Sequence, residues 1–318
     1  MQSDRWAGSG VLITNPLAGA GRADRADLAA LTRWCAERVG DLAVVPTGHR
    51  GHAEEIAAKA VADGADVVIV AGGDGSTREV AAGLARTGPA RPGADLPAVF
   101  CVPAGTANSF YREIWSDRPW TRTLDEALSG PVRRVRHVDL AHIEEIGVHA
   151  LLGTGTGVVA DVLAAANRRT DVAGRERYQQ AVARVVAAHR PYPARVTVDG
   201  EVVHEGGVQL TNIGGGRFRA GQFRLMPHSV LDDGLLDLCV FDDTCDLLEL
   251  LSLTREGRHV GRPGVIYTRG RHFVVERTDG APLSLEHDGE TAAGEHARCT
   301  VGLLAGVVPF LAPPPHQA

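Results

Sequence analysis

The stretch Gly72-Gly73-Asp74-Gly75-Ser76-Thr77 follows the apolar run Val67–Ala71 and leads into a helical pattern. Its glycines let a backbone turn sharply and come close to a ligand. Ser76 and Glu79, three residues apart, have the form of a capping box. A glycine turn feeding a helix N-terminus presents free amides and a positive dipole end, which suits phosphate. Asp74 is the one acid in the turn, and a carboxylate beside phosphate makes sense with a cation such as Mg²⁺ between them. Asn15-Pro16-Leu17-Ala18-Gly19-Ala20-Gly21 and Pro103-Ala104-Gly105-Thr106-Ala107-Asn108 are further loops of turn residues. Two acidic segments stand later, Asp232-Asp233-Gly234 and Asp288-Gly289-Glu290. Both read as turns, and an exposed acid pair on a turn is commonly just solvated. The second pair also follows an apolar strand in a chain that already holds a phosphate site, which suits proton transfer.

The elements behind these loops alternate. Strands are expected at Val11–Thr14, Leu42–Val45, Val67–Ala71 and Leu96–Val102, with helices at Asp24–Val39, Ala53–Ala62, after Ser76 and after Asn108. Such alternation predicts a doubly wound α/β domain with a parallel sheet. Ligands then sit beyond the carboxyl ends of the strands, where the three glycine-containing loops fall. No GxxxxGK[ST] motif is present, and no GxGxxG follows the first strand. From about residue 134 the chain is mostly strand-like, interrupted by helices at Arg175–His189 and Cys245–Arg255, with Asp199-Gly200 as a two-residue hairpin turn. The expected division is an α/β domain over 1–133 and an antiparallel β-sandwich over 134–306, with the tail 307–318 free to return to the first domain.

Composition excludes several classes. A net charge of −6 leaves no footprint for nucleic acid. Five scattered cysteines without a CxxC favour reduced thiols in a cytoplasmic setting over a disulfide frame or zinc site. The polar N-terminus lacks a signal-peptide pattern, and no apolar run spans a bilayer. A transient membrane-surface visit needs only a patch, and a homodimer is compatible with the composition.

The motifs together resemble the diacylglycerol kinase catalytic-domain family, which includes bacterial lipid kinases and sphingosine kinases and shares ancestry with the NAD kinases. The matching stretches, in order, are Asn15-Pro16, Thr47 with Gly51-His52-Ala53, Gly72–Ser76, Pro103–Asn108, Leu231-Asp232-Asp233-Gly234 and Asp288-Gly289-Glu290. The resemblance implies an α/β nucleotide domain followed by a β-sandwich, with catalysis in the cleft between them, and ATP and Mg²⁺ as cofactors. It implies that Asn15 and Thr47 contact the nucleotide, that Gly72, Gly73, Asp74, Gly75 and Ser76 wrap the phosphates with Asp74 near Mg²⁺, and that Gly105, Thr106 and Asn108 form the facing loop. It places a structural metal at Asp233, with carbonyls from Val230 and Leu235, and the catalytic base at Asp288 or Glu290. Many bacterial members carry an acid after the third-loop asparagine; this chain has Ser109 there.

The expected reaction is transfer of the ATP γ-phosphate to a hydroxyl of a lipid, diacylglycerol or a sphingoid-like base. A soluble polyol or cyclitol, or NAD, is the alternative acceptor, and a nucleotide-binding regulator without transfer is the non-enzymatic reading. Asp74→Asn is expected to abolish transfer and leave the fold intact. Val158–Leu163 and Ala181–Ala187 serve either as an apolar acceptor channel or as helix core. Asn212 and Gly214-Gly215-Gly216, at a strand end, either approach a substrate or form a plain loop. His49, His52 and His287 are left outside catalysis. Arg78 either touches phosphate or lies solvated on its helix.

Overall fold

Val67–Gly72 is buried at every position, as a run of branched side chains must be when both faces of a strand are covered. In the computed structural model, which describes residues 6–16, 25–89, 95–129, 134–168, 174–220 and 222–313, it forms strand β3. Strands β1 (Trp6–Thr14) and β4 (Ala98–Pro103) flank it, and β2 (Val39–Pro46) lies beyond β1. All these pairs are parallel. Helices α1 (Arg25–Arg38), α2 (His52–Ala62), α3 (Asp74–Thr87), α4 (Ser109–Trp115) and α5 (Trp120–Ser129) alternate with them or follow.

The chain divides into two compact units, one of residues 1–138 with 306–318 and one of residues 139–305. Strand β5 (Val135–Ile143) carries the chain into the second unit, and β15 (Arg298–Leu311) carries it back. Phe310 of β15 pairs with Val99 of β4, again parallel.

The second unit is antiparallel throughout its described pairs. Strands β14 (Glu290–Thr291), β13 (Leu285–His287), β7 (Thr154–Gly157), β9 (Glu201–Gly214), β8 (Tyr192–Val198), β12 (His272–Arg277) and the start of β15 lie side by side in that order. Strand β10 (Leu236–Asp242) pairs with β9 and with β11 (Val265–Gly270), and β6 (Val148–Ala150) pairs with β5. β10 shows the layering. Leu236, Leu238 and Val240 enter one core cluster with Val196 and Phe273, while Cys239 and Phe241 enter another with Leu210 and Met226. Both faces of the strand are thus buried, the condition for a sandwich core. Asp199 and Gly200 take φ of 49° and 92°, the pair of positive values a two-residue hairpin turn requires.

Some elements differ in extent from their sequence patterns. Val158–Asn167 is a helix, α6, and it buries Val158, Ala160, Leu163 and Ala166, so of the two readings of Val158–Leu163, helix core holds for most of the stretch. β9 runs unbroken through Gly206-Gly207, which pair in register with Ala194 and Pro193 of β8; the bulge against β8 falls at Val203, between the pairs Val196–His204 and Thr197–Val202. β15 continues past residue 304 because Gly306, at φ 61°, adopts a conformation open to glycine without ending the strand. Two further helices, α7 (Gly174–Ala188) and α8 (Leu247–Leu253), stand where helices were expected, α8 stopping short of Arg255.

Candidate active site

The glycine turn is built on space, not on a left-handed bend. Neither Gly72, Gly73, Gly75 nor Gly105 has a positive φ. A Cβ on Gly72 would lie 2.5 Å from the Ser76 Cβ, and one on Gly105 would lie 2.4 Å from the Gly73 Cα. The loop after β3 and the loop after β4 therefore touch backbone to backbone. The Ala104 N–H also donates to the Gly72 carbonyl at 2.9 Å.

The capping box is not formed. Helix α3 begins at Asp74 with Gly73 as its N-cap, so Ser76 and Glu79 are already helical. Ser76 Oγ instead accepts from Asn15 Nδ2 at 3.0 Å, which ties the loop after β1 to the phosphate turn. The Glu79 carboxylate accepts the N–H groups of Gly51 (2.9 Å) and Ala53 (3.2 Å) and so caps α2. The leading amides of α3 precede its first intrahelical bond, from the Thr77 N–H to the Gly73 carbonyl, and lie at the positive end of the helix dipole, the kind of place that suits an anion. Thr47 follows β2, half-buried, and its N–H donates to Thr14.

Asp74 is engaged on both oxygens. Oδ2 accepts the Ser109 N–H and Oδ1 the Phe110 N–H, each at 2.9 Å, so Asp74 of α3 caps α4. Asn108, the nominal cap of α4, has φ 48° and uses its amide to bracket Gly105 instead, at 2.9 Å in both directions. Ser109 enters through its backbone, which explains how a residue without charge can stand there. Thr106 is exposed on the same loop. A carboxylate oriented by two backbone amides beside a glycine turn is a hard oxygen donor of the kind that suits Mg²⁺ held through water. Arg78 is buried, 3.9 Å from Glu79, so it is neither solvated nor on the phosphate turn's outer face.

In the second unit, Asp288 and Gly289 form a two-residue turn between β13 and β14 with φ of 47° and 81°. The Asp288 carboxylate accepts N–H groups from Leu151 (2.8 Å), Leu152 (2.6 Å) and Gly153 (3.2 Å). It anchors that loop and has little capacity left for a proton-transfer role. Glu290 is half-buried at the start of β14. Glu286, which the sequence reading passed over, lies under the turn with 6% exposure and accepts the Gly289 N–H at 3.1 Å. Burial pushes its carboxyl up to about 7, against the pull of Arg219.

At the predicted structural metal, the Asp233 carboxylate is paired with the Arg269 guanidinium, and Arg269 Nε stands 3.6 Å from the buried Asp237. Asp237 and Arg269 are cross-strand partners on β10 and β11. Leu235 meets Asp233 through its N–H at 3.2 Å, and Val230 is exposed. With a guanidinium already on the carboxylate, these residues do not fit a metal unless Arg269 moves. His49, in the loop before α2, clusters with His52 and Glu55 of α2, yet His52 Nδ1 accepts the Gly48 N–H at 2.9 Å. That places its proton on Nε2 and removes it as a ligand.

Comparison with known proteins shows the family. The profile described as "Diacylglycerol kinase catalytic domain" matches residues 9–143, and "YegS C-terminal NAD kinase beta sandwich-like domain" matches residues 153–308. A "Diacylglycerol kinase" of Mycobacterium tuberculosis is 32% identical over 270 residues, covering 83% of this chain and 84% of its own. A Xanthomonas oryzae protein named "Probable lipid kinase YegS-like" is 30% identical over 298 residues, covering 86% and 88%. The crystal structure of a diacylglycerol kinase from Bacillus anthracis str. Sterne shares the fold, with a TM-score of 0.69 at 22% identity over 96% of this chain and 97% of its own. The chain belongs to the diacylglycerol kinase catalytic-domain family and is a phosphotransferase with a hydroxyl acceptor.

Proposed function

We propose that the chain transfers the γ-phosphate of ATP, as its Mg²⁺ complex, to a hydroxyl of a lipid such as diacylglycerol or a sphingoid-like base. The observation that carries the nucleotide part is the glycine-on-glycine contact of Gly73 with Gly105 beside the N-terminus of α3. Phosphoryl transfer needs positioning and charge stabilisation more than covalent chemistry. The α3 amides hold phosphate oxygens, Asn15 and Ser76 fix the neighbouring wall, and Asp74 keeps the loops after β3 and β4 locked together. Asp74 is also the residue that would hold Mg²⁺ through water, and the ion would offset phosphate charge when bound.

Glu290 is the better base. Its partner in the motif, Asp288, spends its carboxylate on three backbone amides, whereas Glu290 begins the strand just past the turn. Its carboxylate takes the acceptor hydroxyl proton as that oxygen bonds to phosphorus and the bond from phosphorus to the β-phosphate oxygen breaks.

For the acceptor, support comes from the lipid kinase names of the relatives and from a recess of about 240 Å³ lined in part by Val186, Ala187, Leu247 and Leu248. Among the described residues no helix is long and apolar enough to cross a membrane, so a lipid acceptor would be met by transient contact with a membrane surface. Incubation with radiolabelled ATP and a panel of dioleoylglycerol, sphingosine, glycerol, inositol and NAD tests the reading. Label on a lipid is expected. Label only on a soluble alcohol or on NAD would overturn the lipid assignment.

A further inference from the structure

Glu286 sits in a row that the sheet register creates. It pairs with Gly155 of β7, and Gly155 pairs with Asn212 of β9. The three residues therefore share one face, with no side chain at the middle position. A Cβ on Gly155 would be 2.8 Å from Glu286 Oε1, 2.8 Å from Asn212 Nδ2 and 2.8 Å from Val159 Cγ2 of α6. Gly155 thus opens a narrow slot, roofed by α6, into which an acid and an amide both point. Asn212 is 1% exposed, and neither its Nδ2 nor its Oδ1 has a hydrogen-bond partner.

The other oxygen of Glu286 accepts the Gly289 N–H, inside the turn that ends on Glu290. Glu290 itself pairs with His287, so it faces away from Glu286, and the two acids communicate through the backbone of the turn. The charges that bear on Glu286 are Arg219, which favours its carboxylate, and Asp288, which opposes it. Strands β7 and β9 and helix α6 present Gly155, Asn212 and Val159, none of which titrates. A lone buried acid with no side-chain cation bonded to it is costly to keep in a sheet. Its one hydrogen bond to the turn names the job that offsets the cost.

We propose that Glu286 is a positioning residue for phosphoryl transfer, holding the Asp288-Gly289 turn in the conformation that presents Glu290, with Gly155 and Asn212 forming the slot that directs its carboxylate. This rests on the reading of Glu290 as the base. The ionised carboxylate binds the Gly289 N–H as a charge-assisted acceptor; the neutral acid binds it less strongly. Turn order therefore rises with pH across the range where Glu286 ionises.

The test compares wild type with Glu286→Gln, Glu286→Leu and Glu290→Gln, using dioleoylglycerol in mixed micelles, and reads kcat, KM for ATP and hydrogen exchange of residues 286–291 at pH 6 and pH 8. Leucine cannot accept the N–H and should lower kcat on the order of 10²-fold with KM for ATP unchanged, since misplacing a reacting group by about 1 Å costs that much. Glutamine keeps an acceptor oxygen and should recover most of the rate. Exchange in the turn should be slower at pH 8 than at pH 6 in wild type, and equal at the two pH values in Glu286→Gln once corrected for intrinsic exchange. A Glu286→Gln protein as slow as Glu286→Leu, or one with the wild-type difference in exchange, overturns the proposal. The exchange measurement needs no acceptor and decides the matter even if Glu286→Leu fails to fold. An active Glu290→Gln protein would instead remove the base assignment itself.

Discussion

Replacing Asp74 by Asn separates two roles for one carboxylate. If Asp74 only carried charge for a cation, the isosteric amide would leave stability untouched. The structure gives it a second duty, because Oδ1 and Oδ2 accept the first two amides of α4 at 2.9 Å each. Asparagine offers one oxygen and turns an NH₂ group toward the other amide. One charge-assisted hydrogen bond is lost, worth about 1.5–3 kcal/mol. Losing a negative charge at a helix N-terminus adds about 0.3–1 kcal/mol. The sum is roughly 2–4 kcal/mol. In a unit of this size each kcal/mol moves Tm by about 2–4 °C, so Tm should fall by roughly 5–15 °C. Calorimetry of the nucleotide-free protein, with no divalent cation present, isolates the structural share. A Tm within about 1 °C of wild type would refute the capping role and return Asp74 to cation binding alone.

Other substitutions probe the remaining parts. Gly105→Ala drives a methyl group to 2.4 Å from the Gly73 Cα, so it should cost about 1–3 kcal/mol of stability and weaken binding of a non-hydrolysable ATP analogue at least tenfold by titration calorimetry. Unaltered affinity would deny that the two loops form the phosphate site. The Glu286 carboxyl is raised from 4.5 to about 7, so the folded state holds a proton that the unfolded chain releases between those values. Stability is therefore lost as pH rises from about 4.5 to 7, by about 3 kcal/mol in total. Glu286→Gln should accordingly raise Tm at pH 8 and leave it nearly unchanged at pH 4, and a rise of equal size at both would contradict the burial argument. At Asp233, chelator or added Mg²⁺ should leave the wild-type Tm unmoved, whereas Arg269→Gln, by stranding the buried Asp237, should cost about 1–2 kcal/mol. A drop in wild-type Tm on adding EDTA would show that a metal displaces Arg269.

What could be read from the sequence was local. Val67–Ala71 had to be a buried strand, and glycines before a helix had to mark a close approach. The pairing of Asn15 with Ser76 and the use of Glu79 to cap α2 join residues 61 and 26–28 positions apart, which no spacing rule reaches. Helix α6 was legible only as one of two readings, because the apolar side chains of Val158–Leu163 suit a channel wall as well as a helix core. Glu286 was passed over for a related reason. Leu285 of β13 and Leu283 just before it mark an inward face, so Glu286 reads as solvent-facing, but α6 covers that face as well. The preference for Glu290 over Asp288 as base rests on three distant amides bound to Asp288, which no sequence spacing shows.

The central claim is phosphate transfer from ATP to a lipid hydroxyl with Glu290 as base. Its most direct test is a single-turnover experiment following label from γ-³²P-ATP to dioleoylglycerol in wild type and Glu290→Gln. The account predicts labelled phosphatidic acid with wild type and a rate lower by about 10²–10⁴-fold with the variant, the range typical of a removed general base. Equal rates in the two proteins would contradict it.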